Sequence, residues 1–384
     1  MNVLIVGAGP AGLCLAYLLK RSQPAIRVRL VEQNAADSTF GFGVVFSDRA
    51  LDFLRADDPE THAALVPALQ TWHDLAIVHR GERIVIDGVW FAAIGRLELL
   101  QLLQQRLARA GVTAEYGHPL TDRSELDGYD LVVAADGANS FVRRGQEAEF
   151  GTCVEPLRNH FVWYGTTQRF ETLTQTFVST PLGPFNAHHY RYSPTMSTFI
   201  VECDPVTWQR VGFAKLDDAA TRAVCETVFA DTLAGHSLIP NKSVWRHFPR
   251  LRNERWSVGR HVLLGDALRT AHFSIGSGTR LSFEDAIALA HALERHPGRQ
   301  GVPLALAAYE AARRPVVDKL AAAAATSAQW YEDYPRHMTL PPWELAWSYV
   351  QRSGRVDPDR LRRVSPRFVA GYEAWMAGRH GDAN

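Results

Sequence analysis

Val3-Leu4-Ile5-Val6-Gly7-Ala8-Gly9-Pro10-Ala11-Gly12, followed by Leu13 to Lys20, reads as a buried strand, a tight turn and a helix. The four apolar residues are β-rich, and the apolar positions after Gly12 recur at helical spacing. The three glycines serve different ends. Gly7 permits the turn, Gly9 lets backbone approach a pyrophosphate, and Gly12 lets helix and strand pack closely. Ala11 stands in the first helical turn, where amide donors face an anion. A second apolar run, Val28 to Val31, ends in Glu32-Gln33. That places a carboxylate about 20 residues after the last glycine, where a ribose hydroxyl would sit, and an acid there prefers a free 2′-OH to a 2′-phosphate. The pattern predicts a dinucleotide-binding unit and by itself leaves NAD and FAD open.

The rest of the chain bounds the alternatives. With 384 residues, 46% hydrophobic and 21% charged, it has ordinary globular composition and room for roughly two domains. Lys plus Arg and Asp plus Glu both number 41, so no net field draws it to nucleic acid or to an anionic membrane, and any anion site must be local. Cys14, Cys153, Cys203 and Cys225 lie far apart without metal-type spacing, as expected of reduced thiols. The apolar stretch from Val3 to Leu19 has no positive residue before it and is interrupted by glycines, so it does not read as a secretory signal. No apolar run reaches the ~18 residues of a membrane helix. A cytoplasmic protein is expected. His188 and His189 point to opposite faces of an extended run and have no partner at helical spacing, so no metal site is expected. No Gly-x-Ser-x-Gly elbow suggests a serine hydrolase.

Two later segments bear on the cofactor. Asp130-Leu131-Val132-Val133-Ala134-Ala135-Asp136-Gly137-Ala138-Asn139-Ser140, with Arg143, resembles the strand-and-turn motif of class A flavoprotein monooxygenases. Val262-Leu263-Leu264-Gly265-Asp266-Ala267 resembles that superfamily's third motif. Independently of the resemblance, a β-rich run ends at Gly265-Asp266, and Gly276-Ser277-Gly278-Thr279 then opens a helical stretch. Such a loop gathers backbone N–H groups and a helix start at one point, suited to an electron-rich ring edge; Asp266 could equally cap a plain glycine turn. The chain departs from the general pattern at Arg269 and Phe273, where most members carry a different residue and a proline. Thr270 to Thr279 resembles instead the variant found in the salicylyl-CoA 5-hydroxylases and their relatives. By the same resemblance Arg96, which opens the amphipathic stretch to Arg109, reaches the flavin phosphates, though a helix-start arginine can also be solvated surface. The apolar, glycine-rich run Phe40 to Ser47, with Phe42, Val45 and Phe46, resembles the stretch beside the isoalloxazine.

From about Thr152 to Glu202 short alternating runs predict a mostly antiparallel sheet. Trp163, His188, His189, Tyr190 and Tyr192 could form an aromatic platform over a flavin, or be ordinary sheet core. After Arg313-Arg314-Pro315 an alanine-rich helix resumes, and the tail carries Arg352, Arg355, Arg360, Arg362 and Arg363. Planar guanidinium forks suit phosphates, and a solvated helix face is the bland alternative.

The resemblance implies an α/β protein: a Rossmann-type FAD-binding domain of the p-hydroxybenzoate hydroxylase-like kind (1–75, 95–150 and 255–330), an interleaved β-sheet substrate domain (76–94 and 151–254) and a helical C-terminal segment (331–384). It implies FAD as cofactor, NADH or NADPH and O₂ as co-substrates, a C4a-hydroperoxide, and hydroxylation of an aromatic CoA thioester such as salicylyl-CoA at the carbon para to its hydroxyl. The alternative is a tryptophan- or indole-derived substrate; a flavoprotein without hydroxylase activity and an NAD-dependent dehydrogenase are the readings from other classes. FAD is expected at Gly7, Gly9, Ala11, Gly12, Glu32, Gln33, Phe42, Arg96, Asp136, Gly137, Gly265, Asp266, Gly276, Gly278 and Thr279. The substrate is expected at Val45, Phe46, Trp163, His188, Tyr192 and Phe273, with His272, His189 and Tyr190 giving acid–base help. A monomer or homodimer is expected.

Overall fold

The strand Asn2–Val6 is buried from Val3 onward and pairs in parallel with Arg27–Glu32 on one side and Leu131–Ala134 on the other. A computed structural model describes residues 1–47, 51–354 and 356–381. Beyond Leu131–Ala134 the strand His261–Leu263 joins in parallel, giving a six-stranded sheet edged by Ser257–Val258 and Glu115–Tyr116. Helices pack on it, so its central strands are apolar on both faces and read as continuous runs. The turn after Val6 depends on its glycines. Gly7 has φ +101°, and a Cβ there would lie 2.4 Å from the Ala135 carbonyl oxygen. A Cβ on Gly12 would lie 2.0 Å from the Gly7 oxygen, so helix Pro10–Ser22 can seat against the strand only without one.

The second sheet is built around the long strand Thr152–Thr166, with Ser197–Cys203, Gly183–Arg191 and Leu173–Thr180 following in antiparallel order. Leu75–His79 and Glu82–Ile86 complete that edge, while Arg246–Asn253 pairs with the far half of Thr152–Thr166. Phe91–Gly95, which straddles the expected boundary between 76–94 and 95–150, joins Gly43–Ser47 and Gln70–Trp72 in a small separate sheet. Gly43 ties this ribbon to the larger sheet: its N–H donates to Thr198 Oγ1 (2.9 Å) and its carbonyl accepts from the Tyr190 hydroxyl (2.9 Å).

The helix expected to restart after Pro315 is continuous from Gly298 to Glu332, with Pro303 and Pro315 inside it. Each proline removes one backbone bond. Tyr309 and Arg313 before Pro315, and Val317, Ala323 and Ala324 after it, are all buried, and that packing holds the axis together. The C-terminal helices Pro342–Gln351, Pro358–Val364 and Pro366–Gly381 cover the sheet edge, where Tyr349, Leu361 and Phe368 pack with Leu75, Ile77 and Ile84. Among the described residues no helix is long and apolar enough to cross a membrane.

Candidate active site

The carboxyl ends of Asn2–Val6, Arg27–Glu32, Leu131–Ala134 and His261–Leu263 open onto one cleft of ≈ 790 Å³, whose opposite wall comes from the larger sheet. Ligands of parallel α/β sheets bind at such an edge. Gly7, Gly9, Ala11, Glu32, Gln33, Asp136, Gly137, Gly265, Asp266, Gly276, Gly278 and Thr279 all line the cleft, although they are scattered over the chain. Gly12 lies beneath it, packed on Gly7. A Cβ on Gly9 would meet nothing closer than 4.0 Å, and one on Gly137 or Gly278 nothing within 4 Å, so the backbone there is open to close approach from the cleft. Glu32 is held at the rim, its Oε2 accepting the Ala8 N–H (2.9 Å) and its Oε1 the Asn34 N–H (2.9 Å). Asp136 accepts the Phe141 N–H (2.7 Å) and so shapes the Gly137 turn from the start of helix Phe141–Arg144.

Arg96 opens helix Arg96–Arg109, and its side chain enters the cleft. Among the described residues its guanidinium makes no hydrogen bond or ion pair. The cleft walls crowd it while leaving it open to water within the cleft. Burial pulls its pKa below the ordinary guanidinium value, and the charge of Asp266 opposes that shift. Asp266 faces the same basin; burial raises its pKa, Arg96 and Arg269 lower it, and Asp285 raises it. A cation that makes no ion pair among the described residues, beside helix-start amides and open glycine backbone, is a donor set for a diphosphate. These residues fit a dinucleotide.

The larger sheet supplies the other end. Alternation along Gly183–Arg191 turns His188 and Tyr190 into the cleft and His189 away from it. His188 is buried, both ring nitrogens lack a hydrogen-bond partner among the described residues, and burial followed by the nearby charge of Arg352 lowers its pKa to about 3. It is a neutral imidazole with an unused donor and acceptor. Trp163 also lines the cleft, its Nε1 without a hydrogen-bond partner among the described residues. Tyr190 contributes its ring, while its proton is committed to the Gly43 carbonyl. Val45 and Phe273 complete the expected residues found here.

Five expected residues stand elsewhere. His189 packs between Phe170 and Phe199 on the reverse face, its Nε2 2.9 Å from Thr176 Oγ1. His272 sits behind Phe273 (ring centroids 4.2 Å apart), its Nδ1 2.8 Å from Ser274 Oγ, and faces a second cavity. Phe46 alternates away from Val45 into the nucleotide-domain core at 1% exposure. The Phe42 ring lies on Gly165, and Tyr192 lies against Gly43 and Gly95, so both fill the seam between ribbon and sheet. The tail arginines are not gathered: Arg352 donates to the Ser274 and Tyr349 carbonyls, Arg362 pairs with Asp359 and Glu373, Arg360 and Arg363 are exposed, and Arg355 lies outside the described residues.

A family description for the FAD binding domain matches residues 1–64 and 98–324. The chain belongs to that family. It is 40% identical over 390 residues to salicyloyl-CoA 5-hydroxylase of Streptomyces sp, covering 99% of this chain and 75% of the relative. It is 37% identical over 356 residues to 3-hydroxy-4-methyl-anthranilyl-[aryl-carrier protein] 5-monooxygenase of Streptosporangium sibiricum, covering 93% and 95%. Among solved structures, 2-methyl-3-hydroxypyridine-5-carboxylic acid oxygenase superposes with a TM-score of 0.72 at 17% identity, covering 94% of this chain and 97% of that one, a likeness of fold. This is an FAD-dependent aromatic monooxygenase.

The monooxygenase has site residues that sequence reasoning missed. Phe161, Ile200, Arg246 and Phe248 line the cleft. Phe161 stands two residues before Trp163, and strand parity alone could have found it. Nothing local marks Phe248. Arg269, the departure from the family pattern, donates to Asp285 (2.7 Å), which also accepts from Arg313 (3.1 Å). This buried pairing clamps the Gly265–Arg269 turn onto helices Gly278–Arg295 and Gly298–Glu332.

Proposed function

We propose that this monooxygenase hydroxylates a hydroxyaryl thioester, salicylyl-CoA being the reference substrate, at the ring carbon para to the phenol, using NADH or NADPH and O₂. The observation that carries the reading is the neutral, unpartnered His188 in an aromatic chamber at the sheet end of a nucleotide cleft. Both relatives above are named for acyl groups held as thioesters, on CoA or on a carrier protein.

Bound FAD supplies the reductive activation of O₂. Gly7, Gly9, Arg96, Asp266 and Gly278 would hold it. Phe161, Trp163, Phe248 and Phe273 flank the aromatic substrate and exclude water. His188 accepts a hydrogen bond from the substrate phenol and, uncharged across the physiological range, can take its proton as the oxygen substituent raises electron density at the para carbon. Tyr190 cannot offer a free hydroxyl proton while it bonds Gly43, and serves as a wall.

The test is mass spectrometry of products from salicylyl-CoA and from free salicylate, with the purified holoenzyme and either nicotinamide donor. One oxygen added to the thioester supports the reading. NAD(P)H oxidation that leaves the thioester unchanged, or oxygenation confined to the free acid, refutes it.

A further inference from the structure

A second cavity, of ≈ 470 Å³, lies beside the cleft and shares the side chains of Phe248 and Thr270 with it as a common wall. One side is the strand Arg246–Asn253 and the other the alanine-rich half of helix Gly298–Glu332, with Ala321, Ala324, Ala325 and Ala328. Strand alternation puts Phe248, Arg250 and Arg252 on one face. Read in that order they form a track from the ring chamber outward, roughly 13 Å from first to last at the rise of an extended strand.

The lining is basic. Arg250, Arg252, Arg269 and Arg314 face the carboxylates Glu155 and Asp318. Arg269 and Arg314 are answered by Asp285 and Glu310, and Arg250 by Glu155 across the strand pair. Among the described residues Arg252 has no ion pair; its hydrogen bond is to Cys153 Sγ (3.6 Å). Arg352, the tail arginine whose charge reaches His188, is spent on the Ser274 and Tyr349 carbonyls, and Arg250 and Arg252 continue the strand outward from Arg246 and Phe248 at the cleft.

We propose that this cavity seats the pantetheine arm of the substrate, with its phosphates on Arg250 and Arg252. The inference rests on the thioester reading above. The alanine face offers a smooth apolar wall for a narrow, flexible chain, and the two guanidinium groups stand where the chain reaches the surface, matched to phosphate oxygens. The thioester carbonyl then lies at the Phe248–Thr270 wall and the ring beside His188. Glu155 competes with a phosphate for Arg250, so the site is held below its full affinity.

The experiment titrates the FAD-loaded enzyme calorimetrically with pantetheine, 4′-phosphopantetheine and coenzyme A, in wild type, Arg250→Ala/Arg252→Ala, Glu155→Gln and, as a control from the tail, Arg362→Ala. The double variant is expected to lose about tenfold in affinity for the two phosphorylated ligands and to keep its affinity for pantetheine. Glu155→Gln should bind coenzyme A more tightly than wild type, and Arg362→Ala should equal wild type. Retained flavin absorbance and an unchanged melting temperature show that the double variant is folded. No binding of coenzyme A to wild type, equal affinity in the double variant, or a matching loss in Arg362→Ala overturns the proposal. Hydroxylation of salicylyl-CoA by wild type is read separately: if it occurs without these effects, the cavity assignment fails and the substrate reading stands.

Discussion

Replacing His188 by Phe separates the chemistry of the site from its packing. The ring is 4% exposed and neither nitrogen has a hydrogen-bond partner among the described residues, so the folded protein carries desolvated polar atoms that the substrate would satisfy. An unpaired buried polar group costs about 1–3 kcal/mol. Phe has nearly the same shape and lacks that cost, and a poor fit could return about 1 kcal/mol. The net expectation is a protein as stable as wild type or up to about 2 kcal/mol more stable, with a melting temperature unchanged or raised by a few degrees. Coupling should move the opposite way, with product formed per NAD(P)H oxidised falling about tenfold or more. The acid limb supplies a third readout. The pKa of His188 is lowered to about 3, so between about pH 6.5 and 3 the unfolded chain takes up a proton that the native protein refuses. The contribution of this group is therefore fully present above pH 6.5 and declines as pH falls, by up to about 1.4 kcal/mol per unit, read as the difference between wild type and variant. The variant should lose that increment of the slope and keep those from the other histidines that burial depresses, among them His272 (to about 3), His160 (to about 4) and His189. Thermal unfolding from pH 4 to 8 and a coupling assay suffice. Wild-type coupling in the variant would remove His188 from the reacting ring, and marked destabilisation at neutral pH would mean that its nitrogens are satisfied in the native protein.

Four further outcomes are expected. His189→Phe should retain coupling and alter only thermal stability, because that ring faces Phe170 and Phe199; uncoupling in this variant would contradict the facing assigned to Gly183–Arg191. Arg96→Met should leave the FAD-free protein close to wild type in stability, since among the described residues the guanidinium makes no hydrogen bond or ion pair and feels Asp266 only through its charge, while FAD affinity measured by fluorescence quenching falls about ten- to hundredfold. Gly12→Ala forces a Cβ to within 2.0 Å of the Gly7 oxygen, both backbone groups, and should cost roughly 3 kcal/mol and yield protein without bound flavin on purification. Phe46→Ala should lower stability by about 3–5 kcal/mol in denaturant titration, with coupling unchanged in the protein that remains folded.

The nucleotide half was legible because its constraints are local. Gly7, Gly9 and Gly12 act over one turn, Glu32 follows at a spacing set by a single strand-helix-strand unit, and each later motif ends a continuous apolar strand. Steric need at these points admits few residues, so the side chains announce the geometry. The substrate half was legible in type and not in detail. Alternation places His188 and His189 on opposite faces, yet which face meets the cleft depends on how the sheet packs, and Phe170 and Phe199 claimed the side of His189. Phe46 was expected at the ligand because the run Phe40 to Ser47 resembles the stretch beside the isoalloxazine, but it alternates with Val45 and the core beneath the ribbon took it.

From its order of residues alone this chain determined a dinucleotide cleft, because close backbone approach and strand-to-helix turns are satisfied within a few residues of one another, and the likeness of its later motifs to a family pointed to flavin. Only the tertiary structure decided which imidazole was left without a partner, where Arg269 was buried against Asp285, and which arginines stand beside the ring chamber. Those outcomes depend on segments far apart in sequence competing for the same space and the same hydrogen bonds, and neither periodicity nor spacing records the result of that competition.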